Sequence, residues 1–204
     1  MNRQPKPRCA PCRAKDCRTS ERDCFDAAAR HTALYGDERV ERLHRAATAI
    51  EGRHYCREPR LNEIILFARE MGFRKLGLAF CIGLAEEARI IERILSQHFD
   101  VVSVCCKVSG VNKQRLDLEQ IDDEATDEVM CNPAGQAELL NREGTELNVL
   151  CGLCVGHDAI FSLVSEAPST TLIAKDRVLA HNPIGAIYSP YLRRRFENEA
   201  KTGS

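Results

Sequence analysis

The spacing of apolar residues changes character near residue 72. Before it, the spacing is helical. Residues 26–34 are alanine-rich, and Asp37 can cap a helix that runs to about Glu51 through Val40, Leu43, Ala47 and Ile50. Pro59 suits a first helical position, with Leu61, Ile64, Ile65, Ala68 and Met71 on one face and Gly72 as the stop. After it, short apolar runs alternate with helical ones. Residues 75–81, 101–106, 147–151 and 170–174 predict strands. Residues 84–98, 133–142 and 155–165 predict helices, the first of them with Ile90, Ile91, Ile94 and Leu95 facing inward. Strands alternating with helices of this length specify βαβ units. The expected fold class is α/β: a Rossmann-like open parallel sheet of about four strands, preceded by helices and a small N-terminal Cys-rich metal-binding segment.

This divides the chain into a Cys-rich segment (1–25), a helical region (26–72), an α/β domain (73–192) and a charged tail (193–204) expected to fray. One connection, 107–130, is long, and its stretch 117–128 holds seven acidic residues and no basic one. A solvated surface loop is the plain reading; the length also suits a lid.

Composition narrows the function classes. The chain has 204 residues, 44% of them hydrophobic and 29% charged, with a net charge of −1. That excludes a disordered chain and a general polyanion binder, so no nucleic acid partner is expected. The longest apolar run, 76–85, stops at Glu86 and is too short to cross a bilayer. No secretory signal is visible at the start, so a cytoplasmic protein with no membrane partner is expected, acting on a small molecule or a redox partner protein.

The cysteines change the picture. There are 11, an odd number and many for a reducing compartment. In a parallel sheet, ligands bind beyond the carboxyl ends of the strands, and the reactive residues fall there repeatedly. Cys81 ends the first strand, Cys105 and Cys106 the second, and Cys151 the third, followed by Cys154, His157 and Asp158; Lys175 and Asp176 end the fourth. Cys131-Asn132-Pro133 and His181-Asn182-Pro183 share a pattern in which Asn caps a helix and Pro opens it, so Cys131 and His181 stand just ahead of helix N-termini. The positive ends of helices favour thiolates, which both metal ligation and thiol chemistry require. Cys81, Cys105, Cys106, Cys131, Cys154 and His181 are therefore the expected cofactor ligands. Cys154, His157, Asp158, Lys175 and Asp176 are the candidate catalytic groups, with Cys154 and His157 as nucleophile and base or as two ligands of one metal. A buried cysteine serving as a small hydrophobe is the plain alternative for each thiol, above all Cys151. Gly83 would admit a phosphate beside the following helix, though one glycine serves a tight turn equally well. No dinucleotide fingerprint, phosphate-binding loop or nucleophile elbow is present.

A second set lies in the N-terminal segment: Cys9, Cys12, Cys17 and Cys24, spaced Cys-x2-Cys-x4-Cys-x6-Cys among prolines and basic residues. The Cys-x2-Cys step lets two thiolates share one ion and the later turns return two more, so a four-Cys metal site is expected. Zinc is the simplest occupant; an iron–sulfur cluster takes the same four thiolates. Cys56, just before Pro59, is a further candidate for either set.

Several motifs together resemble a known family. They are Phe80-Cys81-Ile82-Gly83-Leu84, Val104-Cys105-Cys106-Lys107-Val108, Cys131-Asn132-Pro133, Gly152-Leu153-Cys154-Val155-Gly156-His157-Asp158, Lys175-Asp176-Arg177-Val178-Leu179 and His181-Asn182-Pro183. Across nearly the whole chain this resembles a domain-of-unknown-function family of small cysteine-rich proteins from anaerobic prokaryotes, labelled only as metal-binding proteins. The resemblance implies metal binding and no particular reaction. Cys151 departs from it, standing where an aliphatic residue is expected.

Three functions follow. The first is a two-site metal protein, with zinc or iron–sulfur in the N-terminal set and a second metal or cluster in the crevice, used in redox chemistry. The second is a thiol-dependent enzyme with only the N-terminal site metallated. The third is a zinc-knuckle interaction module on an α/β scaffold.

Overall fold

The computed structural model describes residues 6–122, 124 and 127–202, without the side chains of 199–202. The first five residues, Asp123 of the acidic run and the end of the tail lie outside the described residues. The chain forms two compact units, one ending at Arg57 and the other beginning at Glu58.

The first unit is helical. The Cys-rich segment contains a short helix, α1 (Asp16–Thr19), entered through left-handed Lys15. The Asp23 carboxylate accepts the N–H groups of Phe25, Ala27 and Ala28, fixing the entry to α2 (Ala28–Ala33) and holding that carboxyl below its usual range. A 3-10 turn over Leu34–Gly36 leads to α3 (Glu38–His54). As expected, the Asp37 side chain caps α3, accepting from Val40 N at 3.0 Å.

The second unit opens with α4 (Arg60–Glu70), which buries Ile64, Ile65 and Ala68. Pro59 is its N-cap, in an extended conformation, and not its first residue. Gly72, at φ 73°, closes the helix, and Phe73 N reaches back to Ala68 O. Next come β1 (Lys75–Phe80), a 3-10 turn over Ile82–Leu84, α5 (Ala85–Leu95), β2 (Asp100–Cys105), α6 (Pro133–Arg142), β3 (Leu147–Cys151), α7 (His157–Val164), β4 (Ser169–Ile173), α8 (Ile184–Tyr188) and α9 (Pro190–Thr202).

The four strands form one parallel sheet in the order β2-β1-β3-β4, the Rossmann-like α/β architecture expected. Of the two central strands, β3 is buried along its whole length and β1 along all but its two ends, which is why they read as apolar runs. Alternation along the strands separates two faces. Leu76, Leu78, Leu147, Val149 and Cys151 pack with α4 and α5; Ala79, Val104 and Leu150 pack with α6 and α7.

On the α6 side, Gly77 has no side chain because Asn148 fills its place. A Cβ there would lie 2.0 Å from Asn148 Oδ1 and 2.9 Å from Leu140 Cδ1. Asn148 is fully buried, accepting from the Thr145 hydroxyl at 2.8 Å and donating to Ser165 Oγ at 2.9 Å.

Three expectations need correction. Ile90 is 42% exposed; the buried line on α5 is Ala88, Ile91 and Leu95, and Ile90 sits about 100° round the helix from Ile91. The charged tail is helical to Thr202, continuing α9 from Pro190. At His181-Asn182-Pro183 the N-cap of the five-residue α8 is Pro183, and the Asn182 side chain does not cap it. His181 itself is in a left-handed turn at φ 63°.

Candidate functional site

The strand order reverses direction between β1 and β3. The chain leaves β1 for α5 on one face, while α6 and α7 cover the other. A crevice therefore opens beyond the carboxyl ends of these two strands. Cys81 follows β1 directly, and its N–H donates to Cys151 O at the end of β3 at 3.0 Å.

Three thiols from three elements meet here. Cys106 follows β2, and its Sγ accepts the Ile82 N–H at 3.3 Å. Cys131 precedes α6, and its Sγ lies 3.9 Å from Cys106 Sγ. Cys81 lies within electrostatic reach of both Cys106 and Lys175. Backbone bonds explain why residues so far apart in sequence converge. Cys106 N donates to Phe80 O and Asn132 N to Cys106 O, each at 2.8 Å. The Asn132 side chain caps α6 through Gly135 N, and Gln136, fully buried, donates to Phe80 O, the last carbonyl of β1, and to Val104 O, the last but one of β2.

The segment between Cys106 and Cys131 is pinned at its neck. Asn112 and Val129 form an antiparallel bridge, Met130 N donates to Val111 O, Lys107 Nζ reaches Val129 O, and Lys113 pairs with Glu128 at 2.8 Å. Lys113 and the Ile121 N–H hold the Glu128 carboxyl below its usual range.

The opposite wall is built by the ends of β3 and β4. Gly152, at φ 68°, donates to Ile173 O, and a Cβ there would fall 2.1 Å from Leu84 Cδ1. Glycine is required on both counts. Beyond β4, the Asp176 carboxylate accepts the N–H groups of Val178 and Leu179, and His181 Nδ1 accepts the Asp176 N–H. This tight turn displays its two neighbours, Lys175 and Arg177. Arg177 donates to Cys154 Sγ at 3.0 Å. Lys175 Nζ and Cys81 Sγ both close on Gly83, 3.3 and 3.9 Å from where its Cβ would lie.

These contacts set the ionisation of the thiols. Burial pushes Cys81 up, but the Gly83 N–H and the Lys175 charge more than reverse it, leaving Cys81 below its ordinary value. Burial raises Cys106 to about 12 despite the Ile82 N–H, with Cys131 and Cys81 adding to the rise. Burial likewise takes Cys151 to about 11. His157 is lowered by burial and by Arg177, so its imidazole is neutral at neutral pH. Arg177 is raised by Cys154 and lies within electrostatic reach of Cys81 and Cys131 as well. Among the described residues, no group of three or more His, Cys, Asp or Glu side chains is placed so that it could hold a metal ion.

A family model described as a protein of unknown function, DUF1847, matches residues 17–172. The chain belongs to the DUF1847 family. It is also 46% identical over 189 residues to the uncharacterized protein MJ0455 of Methanocaldococcus jannaschii, covering 92% of this chain and 97% of that one. No solved structure matches it. No helix among the described residues is long and apolar enough to cross a membrane.

In this DUF1847 chain the remaining candidates fall as follows. Cys105 alternates onto the α5 face with Ser103, away from Cys106. Cys151 is fully buried in the core beneath α5. Cys154 borders the crevice through Arg177, and its carbonyl accepts from His157 N and Asp158 N. Asp158 turns its carboxylate onto the first turn of α7, at Ala159 N, and Asp176 and His181 are engaged in their own turn. In the first unit, Cys9, Cys12, Cys17, Cys24 and Cys56 are all exposed. Cys12 N donates to Cys9 O at 3.2 Å, and Lys15 Nζ holds the same carbonyl. Arg177 and Gln136 are site residues that motif spacing does not single out. Arg177 was detectable as the second basic residue flanking Asp176; Gln136 carried no signal.

Proposed function

We propose that this protein is a metal-binding redox protein whose crevice holds a transition metal or iron–sulfur cluster on Cys81, Cys106 and Cys131, bordered by Cys154. The observation that carries it is the Cys106–Cys131 sulfur separation of 3.9 Å, made between residues 25 apart in sequence. Four thiolates about 2.3 Å from a zinc ion stand about 3.8 Å from one another, so this pair already has the spacing of two ligands. The chemistry of the donor set agrees. Burial and the neighbouring thiols raise Cys106 to about 12, so it is protonated at neutral pH, a penalty that a bound cation removes. Such a group would supply electron transfer or a Lewis acid. The chain's own Lys175 and Arg177 would offset the thiolate charge. The exposed Cys9, Cys12, Cys17 and Cys24 would hold a separate ion, zinc being the simplest.

Metal content tests this directly. Protein purified without oxygen should carry bound metal, and a visible charge-transfer band would indicate iron–sulfur and not zinc. Cys106→Ala with Cys131→Ala should remove one share of the metal and Cys9→Ala with Cys12→Ala the other. Metal-free protein from such a preparation refutes the proposal. A thiol-dependent enzyme is the second reading, favoured by Cys81, whose thiolate is stabilised by Lys175 and the Gly83 N–H. It requires rapid alkylation of Cys81 while the crevice holds no metal.

A further inference from the structure

The turn after β4 places two cations over a set of thiols, and neither is used up there. Arg177 is exposed, and among the described residues its one side-chain hydrogen bond is to Cys154, made through Nη2. The rest of its planar fork is open, a geometry that matches carboxylate and phosphate oxygens. Lys175 is half-buried and reaches Cys81 and Gly83 from the other side. Two further cations act on His157 more weakly, Lys107, which is bonded to Val129 O, and Lys113, which is paired with Glu128.

The nearby carboxylates are engaged elsewhere. Asp176 accepts from Val178 and Leu179, Asp158 from Ala159, and Glu128 pairs with Lys113. Gly83 leaves open the space that a side chain between Lys175 and Cys81 would fill. Those carboxylates keep their charge, but among the described residues none forms an ion pair with Lys175 or Arg177, which stand beside the thiols.

We propose that the crevice takes a small molecule bearing an oxyanion, carboxylate or phosphate, which Lys175 and Arg177 hold against the thiol cluster. This deepens the function proposed above and rests on the crevice being the working site. It does not depend on which metal, if any, the thiols carry.

Charge selection is measured with two alkylating reagents of nearly equal size, anionic iodoacetate and neutral iodoacetamide. The full chain is labelled as purified and again after treatment with chelator, and rates are read cysteine by cysteine by peptide mass spectrometry. The ratio of the two rates cancels any change in thiolate fraction, because both reagents attack the same thiolate. At Cys81, Cys131 or Cys154 the ratio should exceed that at exposed Cys56. It should fall about fivefold or more in Lys175→Gln/Arg177→Gln, the loss of two partly screened charge contacts. Inorganic phosphate, acetate or both should slow iodoacetate labelling of wild type, and chloride at equal ionic strength should not.

Equal ratios in wild type and the double variant overturn the proposal. So does a crevice in which no thiol reacts with either reagent in both preparations, since it would admit no small molecule. Slowing by phosphate and not by acetate identifies a phosphate ligand, and the reverse a carboxylate. Slowing by neither overturns the proposal. Metal content is measured on the same material, so a failed anion preference and a failed metal assignment are read separately.

Discussion

Replacing Gly77 by alanine perturbs the middle of the sheet without touching the crevice. The new methyl would lie 2.0 Å from Asn148 Oδ1 and 2.9 Å from Leu140 Cδ1, so Asn148 has to leave its place. Displacing it breaks the bond from Thr145 at 2.8 Å and the bond to Ser165 at 2.9 Å. Thr145 and Ser165 keep their bonds to Leu140 O and Ala167 O, so the Asn148 amide is the group stripped of partners. Overpacking costs about 1–3 kcal/mol, and the stripped amide about 1–3 kcal/mol more. Gly77→Ala should therefore lower stability by about 2–6 kcal/mol, a large share of what a domain possesses. Urea unfolding followed by circular dichroism reads this as a drop in midpoint. The decisive measurement is the same substitution in an Asn148→Ala background. With the amide gone, the methyl has only Leu140 to displace, and its cost should fall by about 2 kcal/mol or more. An undiminished cost would refute the assignment of Asn148 as the obstacle.

Other substitutions test the supports of the site. Asn132→Ala removes the cap of α6 and should cost about 1 kcal/mol, seen as a lower Tm. Glu146 accepts the N–H groups of Arg74 and Lys75, which lower its carboxyl below the usual value. A depressed folded value means stability that is present above the unfolded pKa and lost as pH falls through the folded one. Wild type should thus lose its advantage over Glu146→Gln as pH drops below about 4.3, the ordinary glutamate value, and urea midpoints across pH check it. Cys151→Val keeps an apolar side chain of similar size in the core, should cost less than about 1.5 kcal/mol, and should leave metal content unchanged by elemental analysis.

The fold was legible because the central strands are covered on both faces and so spell themselves out as apolar runs. Asp37 and Asn132 were readable as caps because capping is a local affair between a side chain and the next turn. Face selection was less so: Ile90 is as apolar as Ile91, and only the packing of α5 decides which one is buried. For the crevice, the sequence placed Cys81, Cys106, Cys131 and Cys154 near strand ends or helix starts, which parallel topology brings to one end of the sheet. It could not separate Cys105 from its neighbour without knowing where β2 stops, since one residue changes the face. Asp176 and His181 carry reactive groups, yet they close a turn, and pairwise contacts across five residues are not visible in composition. Arg177 matters because of the shape of that turn.

The neck between Val111 and Met130 has a consequence for how this chain can change. Cys106 and Cys131 are fixed by bonds to Phe80, Asn132 and each other's strand and helix ends, and the bridge at Asn112 and Val129 clamps the excursion shut below them. Residues beyond the clamp can be added, lost or recharged with little entropic penalty. The two sulfurs would keep their spacing regardless. Evolution is left a place to vary length and charge at the rim while the chemistry underneath stays in register.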